Sequence, residues 1–257
     1  MIPATTITSW GETHHWPTRE QIEQDFLLSQ AICEIANNTI LGQELVMRGG
    51  TAIHKLFLPE AYRYSEDLDY VRRSEGGIGY ILDQLTQLGV SLGYKVNTKI
   101  GKYPKVFWKG VAETGLQLRI KIEINTYERT PVMPLVTKPH SVNVGFYSSN
   151  AEVNVFQAEE LMATKLRALY QRAKGRDLFD LWLAFELLNL SPTTIVEIFK
   201  AYCPEGLTAA LMIDNLEEKL VNRKFISDLD SLGIPDEIGY QTDIAGRMVI
   251  DRLYHLL

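Results

Sequence analysis

Cysteine is scarce. Cys33 and Cys203 are the two in 257 residues, far apart and in no Cys-x-x-Cys spacing. That argues against a disulfide framework and against a zinc site, and makes a reducing cytoplasm the expected compartment. Long apolar runs are missing too. No stretch approaches the roughly 20 apolar residues that cross a bilayer, so no membrane partner is expected. The first residues, MIPATTITSWGETHHWP, lack the basic start and apolar core of a secretory leader. There is no internal repeat and no low-complexity segment. The histidines, His14, His15, His54, His140 and His255, form no ligand spacing. Walker-type phosphate loops, zinc-protease motifs and serine-nucleophile elbows are lacking as well. Positive charge is in deficit. The formal net charge is −6, which weighs mildly against a chain that coats nucleic acid.

What is present suffices for a folded protein. Hydrophobic residues make up 46% of the chain, enough for a real core in one or two domains. Thr18 with Gln21 reads as a capping box, and Ile22, Phe26, Leu27 and Ile35 follow with helical spacing. Leu45–Met47 reads as a short buried strand, and residues 51–58 as a short helix stopped by Pro59. Alternation predicts strands at 67–72, 94–100 and 105–111, with a helix over 78–88 between the first two. The clearest strand is 116–125. There Leu116, Leu118, Ile120, Ile122 and Ile124 face one side, and Gln117, Arg119, Lys121, Glu123 and Asn125 the other. Pro131, Pro134 and Pro139 predict an exposed loop, and Val153–Phe156 a last strand.

From Ala158 onward the pattern is helical. One helix runs to about Ala173 with Gly175 past its end, and the next starts near Asp177. Ser191-Pro192 pairs an N-cap with proline at the first helical position. Further helical stretches follow around 208–221, 224–232 and 236–256. The fold class is therefore α+β, with a mixed-sheet domain at 1–157 and a helical domain at 158–257.

Three features suggest phosphoryl transfer. Arg48-Gly49-Gly50-Thr51 lies between a strand and a helix, where glycine lets the backbone approach a phosphate and the helix start offers free N–H groups. In Ser65-Glu66-Asp67-Leu68-Asp69 the two aspartates are two apart on a strand. Their carboxylates point the same way, about 6–7 Å apart along the chain, suited to divalent cations bridging phosphates. Glu123, on the polar face of its strand, becomes a third carboxylate if that strand lies beside the Asp67 strand. The alternative for Glu123 is an exposed residue paired with Lys121 or Arg119. Asp228-Leu229-Asp230 has the same spacing but a helical context, so those aspartates are expected to splay apart on a solvated face without function.

Residues 165–176 carry five cations, Lys165, Arg167, Arg172, Lys174 and Arg176, and no anion. Lys165 and Arg172, seven apart, share a helix face, which suits either a bound anion or plain exposure. Asp177 falls at a predicted N-cap and Asp180 three residues on, both favourable to a helix start. On that reading Asp180→Asn should keep most of the fold.

Gly49-Gly-Thr-Ala52, Ser65-Glu-Asp-Leu-Asp69, Lys165 and Arg172-x-Lys174-x-Arg176-Asp177-x-x-Asp180-Leu181 together resemble the AbiEii family of nucleotidyltransferase toxins from type IV toxin–antitoxin and abortive-infection systems. The resemblance runs from residue 49 to 181. It implies a polymerase-beta-like nucleotidyltransferase domain followed by a helical domain, with Mg²⁺ (Mn²⁺ as the alternative) and a nucleoside triphosphate. It implies transfer of a nucleotide to the tRNA 3′ end, blocking translation, and a cognate antitoxin. Carried onto this chain, Gly49, Gly50 and Thr51 would hold the triphosphate, and Ser65 would bond a phosphate or help place the metal. Asp67 and Asp69 would bind metal, with Glu123 as third ligand on the strand argument alone. Lys165 would neutralise the triphosphate, and Arg176, Asp177 and Asp180 would complete the site. The competing functions are transfer to a small-molecule acceptor such as an antibiotic, transfer to a protein, and a non-catalytic NTP-binding partner protein.

Overall fold

In the computed structural model, which describes residues 2–257, helices and strands are mixed up to Val155 and helices alone follow. The strands are β1 (Leu45–Arg48), β2 (Asp67–Arg72), β3 (Lys95–Lys99), β4 (Lys105–Val111), β5 (Gln117–Asn125), β6 (Val136–Val144) and β7 (Tyr147–Val155). They form one mixed sheet in the order β3-β4-β5-β2-β1-β7-β6. β2 runs parallel to β5, and β1 parallel to β7; the other neighbours are antiparallel.

The predicted alternation of β5 is realised. Leu118, Ile120, Ile122 and Ile124 are buried, while Gln117 and Arg119 are exposed. Fully burying each such aliphatic side chain is worth about 1.5–3 kcal/mol. The early helices are α1 (Ala4–Gly11), α2 (Arg19–Asn37), α3 (Leu41–Glu44), α4 (Gly49–Leu56) and α5 (Gly79–Ser91). The Thr18 capping box opens α2 as expected. α2 packs on β5, β6 and β7 and buries Phe26, Leu28, Ile32 and Ile35. α5 packs on β3 and β4, where Trp108 donates its indole N–H to the Leu85 carbonyl at 3.0 Å.

The later helices are α6 (Ala158–Gln171), α7 (Gly175–Leu187), α8 (Pro192–Tyr202), α9 (Ala209–Leu220), α10 (Arg223–Ile226) and α11 (Thr242–Arg252). Ser191 caps α8, accepting from the Thr194 N–H. Contacts divide the chain into two compact units. One runs through Phe57 and continues with Tyr64–Pro131 and Leu135–Phe156, and so holds the whole sheet. The other gathers Leu58–Arg63, Val132–Pro134 and Gln157–Leu257. Among the described residues no helix is long and apolar enough to cross a membrane.

Several local expectations change. Pro139 lies inside β6, not in a loop, because β6 is an edge strand with an unpaired side that tolerates a missing N–H. β7 starts at Tyr147, six residues before the expected strand at Val153. Gly175 opens α7 and does not end α6; a Cβ there would lie 2.3 Å from the Phe225 carbonyl oxygen, so close helix packing accounts for the glycine. The stretches expected around 224–232 and 236–256 break into short turns and α11, with Gly233 and Gly239 in the left-handed region.

Candidate active site

β2 carries Asp67 and Asp69 on one face, with Leu68 and Tyr70 buried on the other. Register extends this face sideways. Asp69 lies opposite Arg48 of β1 on one flank and Glu123 of β5 on the other, and Glu123 lies opposite Lys105 of β4. One step along, Asp67 lies opposite Lys121, and Lys121 opposite Phe107. Strand β5 thus does lie beside β2, and the conditional third carboxylate comes alongside the pair.

Ion pairs tie this surface together. Lys121 Nζ sits 2.6 Å from Asp67 Oδ2 and 3.8 Å from Glu123 Oε2. Lys105 Nζ is 3.0 Å from Glu123 Oε2. The pairing that sequence offered as the alternative for Glu123 is therefore present as well. Arg48 turns to Glu128, at 2.6 Å, and stacks over Phe156. Asp69 has no ion pair among the described residues. Burial, with the charges of Glu123 and Asp67 behind it, pushes its pKa up, and Arg48 and Lys121 only partly offset this.

The start of α4 closes over Asp69. Gly49 has φ +79°, and a Cβ on it would fall 2.5 Å from Asp69 Oδ2. Both the backbone conformation and the space demand glycine. Gly49→Ala is expected to cost at least about 1–2 kcal/mol, since it combines a left-handed alanine with a clash. Chemical denaturation checks this, and an unchanged midpoint would mean that Asp69 does not pack under Gly49. Thr51 is buried. Its hydroxyl donates to the Asp67 carbonyl at 2.6 Å and meets the Ser65 hydroxyl at 2.6 Å. Thr51 and Ser65 thus anchor the α4 start to the first residue of β2. Gly50 is buried within the same turn.

The oxygen donors of Asp67, Asp69 and Glu123 suit a hard divalent cation, and the uncompensated charge on Asp69 is what such a cation offsets. Among the described residues no three His, Cys, Asp or Glu side chains close on one point as a cage. A magnesium ion does not require that, because one or two carboxylates with waters and phosphate oxygens commonly complete its shell.

The second unit holds the other predicted residues. Asp180, 0% exposed, takes a fork from Arg63, with Nε at 2.6 Å and Nη2 at 2.8 Å, and Lys165 Nζ at 2.7 Å. Asp177 takes Lys165 at 3.0 Å and a fork from Arg172 at 2.7 and 2.8 Å. Burial alone would raise the Asp177 pKa, but Lys165 and Arg172 hold it below the ordinary carboxylate value. The capping reading of these aspartates fails. α7 starts at Gly175, its N-cap is Lys174, and no side chain caps it. Asp177 and Asp180 instead form the hub of a buried charge network. Arg63 had no legible signal, being one arginine in a loop 117 residues before its partner.

Asp228 also departs from expectation. It accepts from Lys174 Nζ at 2.9 Å and from the Arg176 backbone N–H at 3.3 Å, with 9% of its side chain exposed. The cationic run is therefore largely paired internally: Arg172 with Asp177, and Lys174 and Arg176 with Asp228.

A family model described as nucleotidyl transferase AbiEii toxin, type IV TA system, matches residues 30–242. Among solved structures, the chain resembles MenT4, a nucleotidyltransferase toxin from Mycobacterium tuberculosis H37Rv. The TM-score is 0.67 and the identity 15%, over 98% of this chain and 89% of that one. It also resembles an antigenic nucleotidyltransferase-like protein from Paracoccidioides brasiliensis, at TM-score 0.43 and 16% identity, over 79% of this chain and 92% of that one. A comparison with curated proteins finds no match. The likeness to MenT4 shows the nucleotidyltransferase fold.

Proposed function

The chain belongs to the AbiEii nucleotidyl transferase toxin family, and from that premise we propose that it transfers a nucleoside monophosphate from a nucleoside triphosphate to the 3′ end of tRNA and so blocks translation. Family membership itself implies an NTP substrate and a cognate antitoxin. The observation that carries the chemistry is the lateral placement of Asp67, Asp69 and Glu123 on β2 and β5, beneath the glycine start of α4.

In the proposed reaction a 3′-hydroxyl oxygen attacks the α-phosphorus in line, its proton passes to solvent, and the bond to pyrophosphate breaks. Asp67, Asp69 and Glu123 would hold Mg²⁺, which when bound neutralises phosphate charge and lowers the pKa of the attacking hydroxyl. The backbone N–H groups of Gly49, Gly50 and Thr51 offer the triphosphate an anion site at the α4 start. Thr51 and Ser65, through their hydroxyl bonds, keep that start registered to Asp67. In the second unit, Lys165, whose ammonium Asp177 and Asp180 orient, and Arg176 are the proposed charged residues of the family motif.

A small-molecule acceptor is the second reading. It is favoured by the internal pairing of Arg172, Lys174 and Arg176, which leaves that run poorly suited to a phosphate backbone. The deciding experiment incubates the protein with total tRNA, Mg²⁺ and each labelled NTP, beside an Asp67→Ala/Asp69→Ala control. Label on tRNA that is lost in the control supports the tRNA reading. NTP binding without RNA label moves the acceptor to small molecules or proteins.

A further inference from the structure

Residues 84–112 contain five lysines, Lys95, Lys99, Lys102, Lys105 and Lys109, and no aspartate or glutamate. In a chain of net charge −6 this is a local inversion. The sheet decides where those charges go. In β4 and β5 the even-numbered residues Val106, Trp108, Leu118, Ile120 and Ile122 are buried, so the odd-numbered ones project from the opposite face. Register then aligns Lys95 of β3 with Lys109 of β4 and Lys109 with Arg119 of β5; Lys99 aligns with Lys105. Lys95, Lys99, Lys109 and Arg119 are exposed. Lys105 and Lys121 are engaged by Glu123 and Asp67, but the other four have no carboxylate partner among the described residues.

This face is the one that carries Asp67, Asp69 and Glu123, and aromatic rings are set into it. Phe107 is partly exposed with the Arg119 guanidinium 5.4 Å from its ring centre. Tyr103 and Tyr127, both exposed, meet edge to face at 6.2 Å near the end of the strands where Lys105 and Glu123 lie, and Lys102 Nζ sits 5.5 Å over Tyr103. A cleft of about 560 Å³ opens beside Lys109 and Arg119, with Tyr64, Glu20 and Glu66 on its other walls. Cations spaced along an open surface and interleaved with exposed rings suit one chemistry above others: a single-stranded nucleic acid, its phosphates on the cations and its bases on the rings.

We propose that the β3–β4–β5 face, through Lys95, Lys99, Lys109 and Arg119 with Phe107 and Tyr103, is the surface that binds the single-stranded 3′ segment of the RNA acceptor. It leads that segment toward Asp67 and Asp69. This rests on the nucleotidyltransferase reading above, and it moves the RNA surface away from residues 165–176.

The test measures binding of a labelled single-stranded RNA of about twelve nucleotides by fluorescence anisotropy, across a salt series, in EDTA. Wild type is compared with Lys95→Gln/Lys99→Gln/Lys109→Gln/Arg119→Gln and with Tyr103→Ala/Phe107→Ala. Thermal melts confirm that both sets of substitutions leave the fold intact. The quadruple variant is expected to bind about tenfold or more weakly near 0.1 M salt, with the slope of log K against log salt shallower by up to about 3. The ring variant is expected to lose affinity for the single strand and not for a matched duplex. Undiminished binding by the quadruple variant overturns the proposal, as does wild type that binds no RNA. Labelling of tRNA by wild type is read separately. Label with unaltered variant binding sinks this surface and leaves the function standing. Binding through this face without label sinks the transfer reaction alone.

Discussion

Replacing Asp69 with asparagine is expected to abolish nucleotide transfer while raising the melting temperature. The two effects have one cause. Asp69 lies between Glu123 and Asp67 on adjacent positions of one sheet face, is packed under Gly49, and has no ion pair among the described residues. Its charge is therefore costly in the protein without metal, and the amide removes that cost while keeping the shape. A gain of about 1 kcal/mol corresponds to roughly 2–4 °C at this chain length. Activity moves the other way, because an amide oxygen does not replace a carboxylate in holding a divalent cation. Loss of about 4 kcal/mol of transition-state stabilisation is a drop of about a thousandfold in rate. Asp67→Asn is the informative comparison. It breaks the 2.6 Å contact with Lys121 and should bring no thermal gain. Melts in EDTA and initial rates with labelled NTP read both variants. Full activity in Asp69→Asn would remove Asp69 from the chemistry, and a lowered melting temperature would refute the account of its charge.

For Asp180→Asn the expectation from sequence reverses. A solvated residue in the first turn of a helix would accept the change, but Asp180 is fully buried and faces both Arg63 and Lys165, which are themselves 4% and 6% exposed. Neutralising it leaves buried cations short of a counter-charge. Breaking such a pair from one side costs about 3–5 kcal/mol, whereas replacing both partners with apolar groups costs far less. Urea denaturation should show that loss for Asp180→Asn. The double variant Arg63→Met/Asp180→Asn should be clearly less damaged than the two single losses summed, since the residues share one network. Additive losses, or an unmoved midpoint for the single variant, would mean that the network does not carry the stability assigned to it. Transfer rates taken at a temperature where each variant is fully folded separate this structural loss from any effect on Lys165.

Some of the molecule was readable from residues alone, and the readable parts share a property. The capping box at Thr18, the Ser191-Pro192 helix start, the alternation of residues 117–125 and the shared face of Asp67 and Asp69 are set within a turn or a strand by backbone geometry. The α+β class followed from summing such local patterns, and the family followed from blocks of residues in order. The partners of those elements were not readable. Nothing local states that β5 lies parallel to β2 with Glu123 beside Asp69, that Arg63 reaches Asp180, or that Asp228 gathers Lys174 and Arg176. Nor does it state that scattered lysines on three strands line up on one face. Local periodicity determined which way each side chain points along its own element. Only the tertiary structure decided which side chains meet, because those pairings depend on closing loops of many tens of residues and on the packing of distant apolar faces, which no short window of sequence contains.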